Sequence, residues 1–462
     1  MSIRSVVRKL HDSSPVFVQT AIRSIFASLP DGIRFGRDYT SIKEDIFQSD
    51  KASVEQLRSR RDESLQRLIA FACERSEFHA AGMKKAGMSP SDVRGPDSLA
   101  ALPLMTRDDL HQHNAAIRAS NAHDFQPEAL TSGGSTGVPV EFLSDRKALL
   151  YEKACLARHW MRAGVRDDDK VATLRGLRLK VNPRKPTLRI GKELFVSTYH
   201  LSPATIEHVA HEMRKAKVTV LNAYPSMAAF LAKLIRDAGC EPPRIRVVVT
   251  SSETLDDSQR AQVREVFGCE VFDYYGLTEL VGNAGQCSEL GGYHFSEEMG
   301  VVEITDDDGV PLPPGTEGNV VLTGLLNYSF PFIRYVTGDI GALSPIPCRC
   351  GRPHVTLSHI AGRTADYLLT PTGARLTVAA LNMHDSTWDN VLQYQLVQVA
   401  EDRVEVTVVP SARFTVEDEK RILAMIAPKL SDFTVSLRSD VEVRRTNRGK
   451  CPVIVRDYLV TS

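Results

Sequence analysis

The sequence predicts an α/β fold, with a large domain of parallel and mixed sheets flanked by helices and a small, mobile α+β C-terminal domain. Between about residues 170 and 340, β-branched runs alternate with helical stretches, which is typical of a parallel sheet covered by helices. Near residue 362 the residue composition changes: a stretch rich in turn-forming residues is followed by a second group of β-like runs. We therefore expect a helical extension over residues 1–50, a large domain over 51–362 and a small lid domain over 363–462.

Helical patterns dominate the first part of the chain. Residues 15–29 form a candidate amphipathic helix, which either packs on the body of the protein or lies on a membrane surface. A helix after residue 53 is predicted from one apolar stripe, which consists of Leu57, Leu65, Leu68, Ile69 and Phe71. Thr106 is the predicted N-cap of a later helix, and residues 147–164 form another helical pattern.

Strand signals then begin to alternate with helices. The predicted strands are 218–224, 245–253 and 270–276, and the predicted helices between them are 227–239 and 258–268. Gly268 is the expected stop of the second helix. An antiparallel addition is predicted from the runs 301–309 and 319–325. The C-terminal pattern comprises strands at 393–400, 403–410 and 435–443 and a helix at 416–430.

Composition and charge exclude several classes of protein. The chain has 462 residues, 42% of them apolar and 25% charged, which fits a globular protein with more than one core. Its 57 basic residues balance 57 acidic ones, so no overall field favours a nucleic-acid partner or an anionic membrane. The sequence contains no run of about 18 apolar residues, so we expect no transmembrane helix. Eight cysteines in so long a chain suggest a reducing compartment, and we expect a cytoplasmic protein.

The loop TSGGSTGVP, residues 131–139, has the composition of an anion-binding loop. Ser132, Ser135 and Thr136 supply hydroxyl donors, and three glycines allow backbone N–H groups to converge on an anion. These glycines are Gly133, Gly134 and Gly137. The loop lacks the lysine of the common nucleoside-triphosphate motif. A flexible surface loop is the alternative interpretation.

Four further motifs elsewhere in the chain bear on the interpretation of this loop. They are YYGLTEL at 274–280, RYVTGDIG at 334–341, GRTAD at 362–366 and RTNRGK at 445–450. With the glycine loop, these five motifs resemble, in order and spacing, the adenylate-forming superfamily of acyl- and aryl-coenzyme A ligases. Within it, the chain is most similar to the phenylacetate–coenzyme A ligase group. The CxCGR element and the QYQLVQ run resemble the branch of capsular polysaccharide biosynthesis proteins.

The resemblance implies a two-step reaction and a set of nucleotide-binding residues. A carboxylic acid would attack the α-phosphorus of ATP to give an acyl-adenylate, and a nucleophile such as coenzyme A would then displace AMP. The implied nucleotide-binding residues are Ser132, Gly133, Gly134, Ser135, Thr136, Gly137, Ser252, Glu253, Tyr274, Tyr275, Gly276, Asp339 and Arg363. Among these, Tyr275 would stack on adenine, Asp339 would bind the ribose hydroxyls, and Arg363 would reach the ribose or phosphate edge.

The implied catalytic residues are Thr278, Glu279 and Lys450. Thr278 and Glu279 would hold Mg²⁺ against the phosphates, since a hard cation prefers oxygen ligands. Lys450 would offset charge on the developing phosphate–carboxylate bond. Each also has an ordinary structural alternative, as a turn residue, a helix-terminal charge or a solvated lysine.

A candidate metal site involves cysteines and histidines that are distant in sequence. Cys348 and Cys350 lie one residue apart, and Cys287 and His294 supply the ligand types that complete a structural zinc site. His354 is the rival fourth ligand, and four ordinary buried or surface residues are the alternative. Cys73 and Cys155 lie on apolar helical patterns and are expected to pack in the core.

The chain departs from the family at its hinge, where Ala365 replaces an aspartate and only Asp366 remains. The expected glycine-rich turn with acidic residues is also altered, since Gly373 has no acidic pair beside it. The acceptor therefore stays open between coenzyme A, an amine and a sugar hydroxyl. The acid pocket is expected near Tyr224 and Leu280, which favour an apolar or aromatic acid. The rest of its expected lining is Pro225, Ser226, Ser251 and the run 274–283, with Tyr199 and His200 as further candidates.

Two other kinds of function compete with the ligase. A non-catalytic nucleotide- or acyl-binding homologue is one alternative, and the altered hinge supports it. A membrane-surface scaffold for polysaccharide assembly is the other, and it depends on residues 15–29 alone. The sequence leaves the oligomeric state open, with a homodimer as one option.

Overall fold

The computed structural model describes residues 29, 31–131, 140–175, 181–363, 367–372, 375–377, 381, 386–446 and 449–457. The helices are α1 Asp31–Phe35, α2 Arg37–Ser49, α3 Val54–Arg75, α4 Glu77–Lys85, α5 Arg107–Gln112, α6 Asn114–Ile117, α7 Arg146–Arg162, α8 Ile206–Lys215, α9 Pro225–Asp237, α10 Asp257–Phe267 and α11 Val416–Ile426. Short 3₁₀ turns occur at Pro90–Asp92, Pro96–Ala101, Ala122–Phe125, Thr198–His200, Ser386–Trp388 and Ala427–Leu430.

The strands continue the same order along the chain. They are β1 Glu128–Thr131, β2 Glu141–Ser144, β3 Val171–Leu174, β4 Thr187–Ile190, β5 Glu193–Val196, β6 Val220–Ala223, β7 Val247–Ser251, β8 Val271–Gly276, β9 Asn283–Gln286, β10 Tyr293–Phe295, β11 Gly300–Thr305, β12 Gly318–Gly324, β13 Tyr335–Leu343, β14 Thr356–Arg363, β15 Tyr367–Leu369, β16 Arg375–Thr377, β17 Val391–Ala400, β18 Arg403–Pro410, β19 Thr434–Ser439 and β20 Ile454–Arg456. The described residues belong to two compact units, the first from 29–165 and 272–363 and the second from 166–271 and 364–462.

The first unit is built on antiparallel strands in the order β11-β12-β13-β14-β10-β9-β8. Helix α3 begins with a reciprocal capping box between Ser53 and Gln56, which satisfies two backbone donors at its N-terminus. The sheet core includes Phe142, Phe330 and Phe332, all fully buried. Their packed rings position the strand ends that carry the candidate site.

The second unit contains the parallel strands β7-β6-β3-β5, with β4 antiparallel at the edge. Helix α9 packs on this sheet, and ten of its residues are buried because its sequence is apolar on nearly every side. Helix α10 ends at Gly268, whose φ of 62° is the left-handed conformation that stops a helix at low cost. A four-stranded sheet in the order β19-β18-β17-β20 and the pair β15–β16 come from the C-terminal part of the chain.

These elements confirm the predicted α/β fold class. The antiparallel pair β11–β12 and the α+β composition after residue 362 agree with the sequence patterns. Thr106 caps α5 as predicted, by accepting from the backbone N–H of Asp109. Residues 15–28, together with Ala365, Asp366 and Gly373, lie outside the described residues. The domain boundaries at residues 50 and 362 stay predictions, and no helix in the described part of the chain is both long and apolar enough to span a bilayer.

Candidate active site

The glycine loop begins and ends on a short hairpin. Strands β1 and β2 pair in antiparallel register, with Thr131 opposite Glu141. The loop residues predicted to bind phosphate lie outside the described residues, and they are Ser132, Gly133, Gly134, Ser135, Thr136 and Gly137. The hairpin nevertheless brings the two ends of the loop together, at Thr131 and Glu141.

The end of β8 brings two predicted nucleotide-binding residues together. The Tyr275 hydroxyl donates to Asp339 Oδ2 at 2.6 Å, and Asp339 is buried on β13. Arg363 lies opposite Asp339 in the β13–β14 register, although its side chain lies outside the described residues. One carboxylate oxygen of Asp339 therefore accepts from a phenol donor, which fixes the orientation of the carboxylate.

Thr278 and Glu279 lie in the turn between β8 and β9. Glu279 is buried, and the Tyr335 hydroxyl donates to its Oε1 at 3.4 Å. The next residue, Leu280, has a φ of 55°, which is unusual for a branched side chain and marks a tight turn. The turn thus holds a carboxylate and a hydroxyl on adjacent residues, close along the chain to Tyr275.

A partly buried acid that the sequence analysis did not identify supports this turn. Glu152 Oε1 accepts from the Tyr274 hydroxyl at 2.9 Å, and its Oε2 accepts from Asn283 Nδ2 at 2.6 Å. Burial raises the pKa of Glu152, and the two donors oppose that rise. Helical spacing was the available signal, because Glu152 shares a face of α7 with Ala148 and Cys155, both buried.

Glu253 lies close to the chain around Lys450 in the second unit. Glu253 accepts backbone hydrogen bonds from Ser226 at 3.2 Å and from Cys451 at 3.0 Å. Burial raises the pKa of Glu253, whereas the positive charge of neighbouring Lys450 lowers it. The predicted catalytic lysine therefore lies near the predicted pocket residues 252 and 253.

Arg175 is a second residue that the sequence analysis missed. It follows β3 directly, and its guanidinium donates to Ser252 Oγ at 3.1 Å and also to the Ser251 hydroxyl. The same guanidinium lies 5.5 Å from the centroid of the Tyr224 ring. Ser252 has a φ of 75°, a strained conformation for a residue other than glycine.

The four predicted metal ligands form a cluster in the first unit. The candidate ligand atoms of Cys287, His294, Cys348 and Cys350 all lie within 4.8 Å of one another. The sulfurs of Cys287 and Cys348 are 3.7 Å apart, and Cys350 Sγ is 3.4 Å from His294 Nε2. None of these cysteines is in a disulfide. Burial and the nearby Arg162 charge lower the pKa of His294 to about 3, which keeps its imidazole neutral.

The rival ligand, His354, belongs to a neighbouring ionic network. Its Nε2 is 3.2 Å from Glu298 Oε1 and 3.1 Å from Arg158 Nη1. Arg158 is almost fully buried and pairs with Glu298 at 2.6 Å. The structure therefore places His354 in an ion-pair network that packs beside the cysteine cluster.

Comparison with known proteins agrees with this geometry. Residues 186–328 match the family model described as AMP-binding enzyme. A phenylacetate-coenzyme A ligase from Thermus thermophilus is 30% identical over 322 residues, which cover 68% of this chain and 72% of that protein. The phenylacetate-coenzyme A ligase of Escherichia coli K12 is 25% identical over 332 residues, covering 69% of this chain and 74% of that protein.

Solved structures support the same fold. The 2-hydroxyisobutyryl-CoA ligase in its postadenylation state superposes with a TM-score of 0.66, covering 89% of this chain and 91% of that one. At 17% sequence identity, this similarity concerns the fold alone. The fold and the relatives together define an ATP-dependent, AMP-forming acid ligase of the adenylate-forming class. Within that class, the chain belongs to the phenylacetate-coenzyme A ligase family.

Proposed function

We propose that this enzyme activates an apolar or aromatic carboxylic acid as its acyl-adenylate and transfers the acyl group to coenzyme A. The named relatives are phenylacetate-coenzyme A ligases, which supports both the acid class and the acceptor. The observation that carries the proposal is the hydrogen bond from Tyr275 to buried Asp339, two motif residues 64 positions apart. Two separate motifs thereby converge at the place where a nucleoside would be held.

Asp339 is the residue we assign to the ribose. A carboxylate can accept from both vicinal hydroxyls of a ribose, and the Tyr275 phenol holds the Asp339 carboxylate in a fixed orientation. Tyr275 presents an aromatic ring for the adenine, and Tyr274 and Gly276 form the strand around it. Arg363, opposite Asp339 in the register, is assigned to the same edge of the nucleotide.

We assign the phosphates and their metal to two turns, the glycine loop and the turn between β8 and β9. Ser132, Ser135, Thr136 and the loop glycines would hold the outer phosphates through hydroxyl and backbone donors. The donor set of Thr278 and Glu279 suits Mg²⁺, because both side chains offer oxygen and the Glu279 carboxylate is buried. Magnesium bound there would neutralise phosphate charge, and the residues of this chain would fix its position.

Lys450 is assigned to the developing bond between acid and phosphate. Its proximity to Glu253 is the supporting observation, since that carboxyl follows a parallel strand of the second unit. Ligands of open parallel sheets bind outside the carboxyl ends of their strands. The ammonium group would there stabilise negative charge that appears during attack on the α-phosphorus.

A structural zinc ion suits the cysteine cluster. With bonds of about 2.3 Å to sulfur and about 2.0 Å to nitrogen, a tetrahedral ion places two sulfurs about 3.8 Å apart and sulfur and nitrogen about 3.5 Å apart. The observed 3.7 Å and 3.4 Å match these edges. We assign Cys287, His294, Cys348 and Cys350 as ligands that tie together β10, the end of β9 and the chain before β14.

Exchange of pyrophosphate into ATP tests the reaction. We would measure this exchange over aromatic, fatty and amino acids with Mg²⁺, beside Lys450→Ala, Asp339→Asn and a surface control, Lys420→Ala. Exchange with one acid class, reduced at least 100-fold by Lys450→Ala and unchanged by Lys420→Ala, is expected. Exchange that persists unchanged in both site variants would contradict the assignment.

The acceptor is tested separately. Incubating the enzyme with ATP, the active acid and coenzyme A, an amine or a sugar should give a product with coenzyme A only. Rapid adenylation with no thioester, accompanied by amide or ester formation, would instead identify the alternative ligase. ATP binding without exchange for any acid would favour the non-catalytic homologue.

The metal has its own test. Purified protein should carry about one zinc ion per chain by elemental analysis, and Cys350→Ser should lose it. Cys240→Ser is the matched control, because Cys240 is a free cysteine outside the cluster. Equal metal content in all three proteins would exclude the cluster as the binding site.

A further inference from the structure

The carboxyl ends of three adjacent parallel strands lie along one edge of the sheet in the second unit, and each end carries a functional side chain. Strands β3, β6 and β7 are neighbours, with β6 paired in parallel to each of the others. Arg175 follows β3, Tyr224 follows β6, and Ser251 ends β7. Topology therefore brings one cation, one aromatic ring and one hydroxyl to the same edge, which is where open parallel sheets bind ligands.

Contacts hold the Arg175 guanidinium in place at this edge. It donates to both Ser251 and Ser252 hydroxyls, at 3.1 Å in the second case, and it lies over the ring of Tyr224. A guanidinium carries five N–H donors in a rigid fork that matches a carboxylate. These contacts orient the guanidinium in advance, which reduces the entropy lost when an anion binds.

The backbone of this edge is itself unusual. Ser252 has a φ of 75°, and strained backbone of this kind concentrates at functional sites. The N–H of Ser226 donates to Glu253, which follows Ser252 in the chain.

The charges of the edge favour an anion. Arg175 lies beside the serines that directly precede Glu253, and Glu253 has Lys450 as a charged neighbour. Arg175 and Lys450 are thus two basic side chains near the Glu253 carboxyl group. Because the acid must approach Lys450 to react, its carboxylate group is the anion that would meet this edge.

We propose that Arg175 binds a carboxylate of the acid substrate and so determines acid affinity. This inference rests on the proposed function and deepens it, since it assigns a recognition residue to the acid. The carboxylate has two sources, the reacting group itself or a second acidic group elsewhere on the acid. The two sources predict different responses from acids with one and with two carboxylates.

The experiment compares Arg175→Met, Arg175→Lys and wild type in pyrophosphate exchange. The probes are phenylacetate and 4-carboxyphenylacetate, and KM is measured for each acid and for ATP. Methionine keeps an unbranched chain of similar length against Tyr224 but removes the fork. Arg246→Met is the control, because Arg246 precedes β7 at the opposite end of the same sheet and pairs with Asp169.

We expect Arg175→Met to raise the KM of at least one acid about 10- to 100-fold, with the KM of ATP changed less than about twofold. Arg175→Lys should recover part of the loss, and Arg246→Met should leave both constants near wild type. A rise for both acids identifies the reacting carboxylate, whereas a rise for the dicarboxylate alone identifies a second acidic group. Unchanged acid KM values, or a rise confined to ATP, would overturn the inference.

Direct binding separates this inference from the reaction itself. If wild type shows no exchange with any acid, the proposed function fails, and titration calorimetry of the two acids then tests Arg175 alone. Acid binding that Arg175→Met loses would still support the recognition role. Equal binding by both proteins, or no binding by either, would count against it.

Discussion

Lys233 provides a stability prediction in which the sign of the pH effect is fixed by the structure. This residue lies on α9 and is only 6% exposed. Its ammonium group donates to the carbonyl oxygens of Trp388 at 3.1 Å and Val391 at 2.6 Å. Burial lowers the pKa of Lys233 from 10.5 to about 8. The two carbonyls solvate the charge less well than water does.

The magnitude follows from proton linkage. The lowered pKa means that the unfolded chain binds more protons than the folded chain between pH 8 and 10.5. The cost of the buried charge is therefore greatest below pH 8 and disappears as the pH rises toward 10.5. A difference of 2.5 pH units corresponds to about 3 kcal/mol, of which about 2 kcal/mol is recovered between pH 7.5 and 9.5.

The assay is equilibrium urea unfolding of wild type and Lys233→Met across this pH range. The free energy of unfolding of wild type relative to the variant should rise by about 2 kcal/mol from pH 7.5 to 9.5. Subtracting the variant cancels cysteine and tyrosine titrations common to both proteins. Lys420→Met is the control, because Lys420 is exposed and its difference from wild type should stay flat. A flat difference for Lys233→Met would refute the reasoning.

Three further predictions concern the first unit. Glu152→Gln should slow pyrophosphate exchange about tenfold, and adding Tyr274→Phe should cost little more, since the two side chains share one hydrogen bond; fully additive losses would show that they act independently. Gly285→Ala should lower the free energy of unfolding by about 2 kcal/mol, because the new methyl group would overlap the buried His159 ring. Unchanged urea unfolding would contradict this. Asp50→Asn should destabilise by about 3 kcal/mol, because Arg162 and Arg352 lose the carboxylate that they contact and Arg158 keeps only Glu298. Because those contacts lower the pKa of Asp50, that stabilisation is present at neutral pH and is lost on acidification. Thermal melts that coincide with wild type at pH 7 would argue against it.

Order along the chain was enough to identify several residues that meet in space. Tyr275 and Asp339 belong to motifs that imply contacts with the same nucleotide, but their hydrogen bond to each other became visible only in the structure. The cysteine cluster could be assembled from ligand types alone, but the choice between His294 and His354 could not. Both histidines lie at a sequence spacing from the cysteines that would allow zinc ligation. The structure distinguishes them, because His354 is buried against Glu298 while His294 lies in the cysteine cluster.

Arg175 and Glu152 show what the sequence does not reveal. An arginine after a strand and a glutamate inside a helix are most often solvated side chains. Their roles depend on which residues lie across the sheet or against the helix, namely Ser252 and Tyr274. Such partners are determined by tertiary packing, which local sequence patterns do not predict.

The short strand β20 has a consequence for how the enzyme is manipulated. It lies just after Lys450 and pairs in parallel with β17, with Leu396 opposite Ile454. Removing the chain from residue 450 onward would therefore delete the lysine and also expose the backbone edge of β17. An unpaired edge invites pairing with a second molecule, so such a truncation would confuse lost catalysis with aggregation. Only a point substitution at Lys450 separates the two, and a peptide with the β20 sequence becomes a candidate reagent for capping that edge.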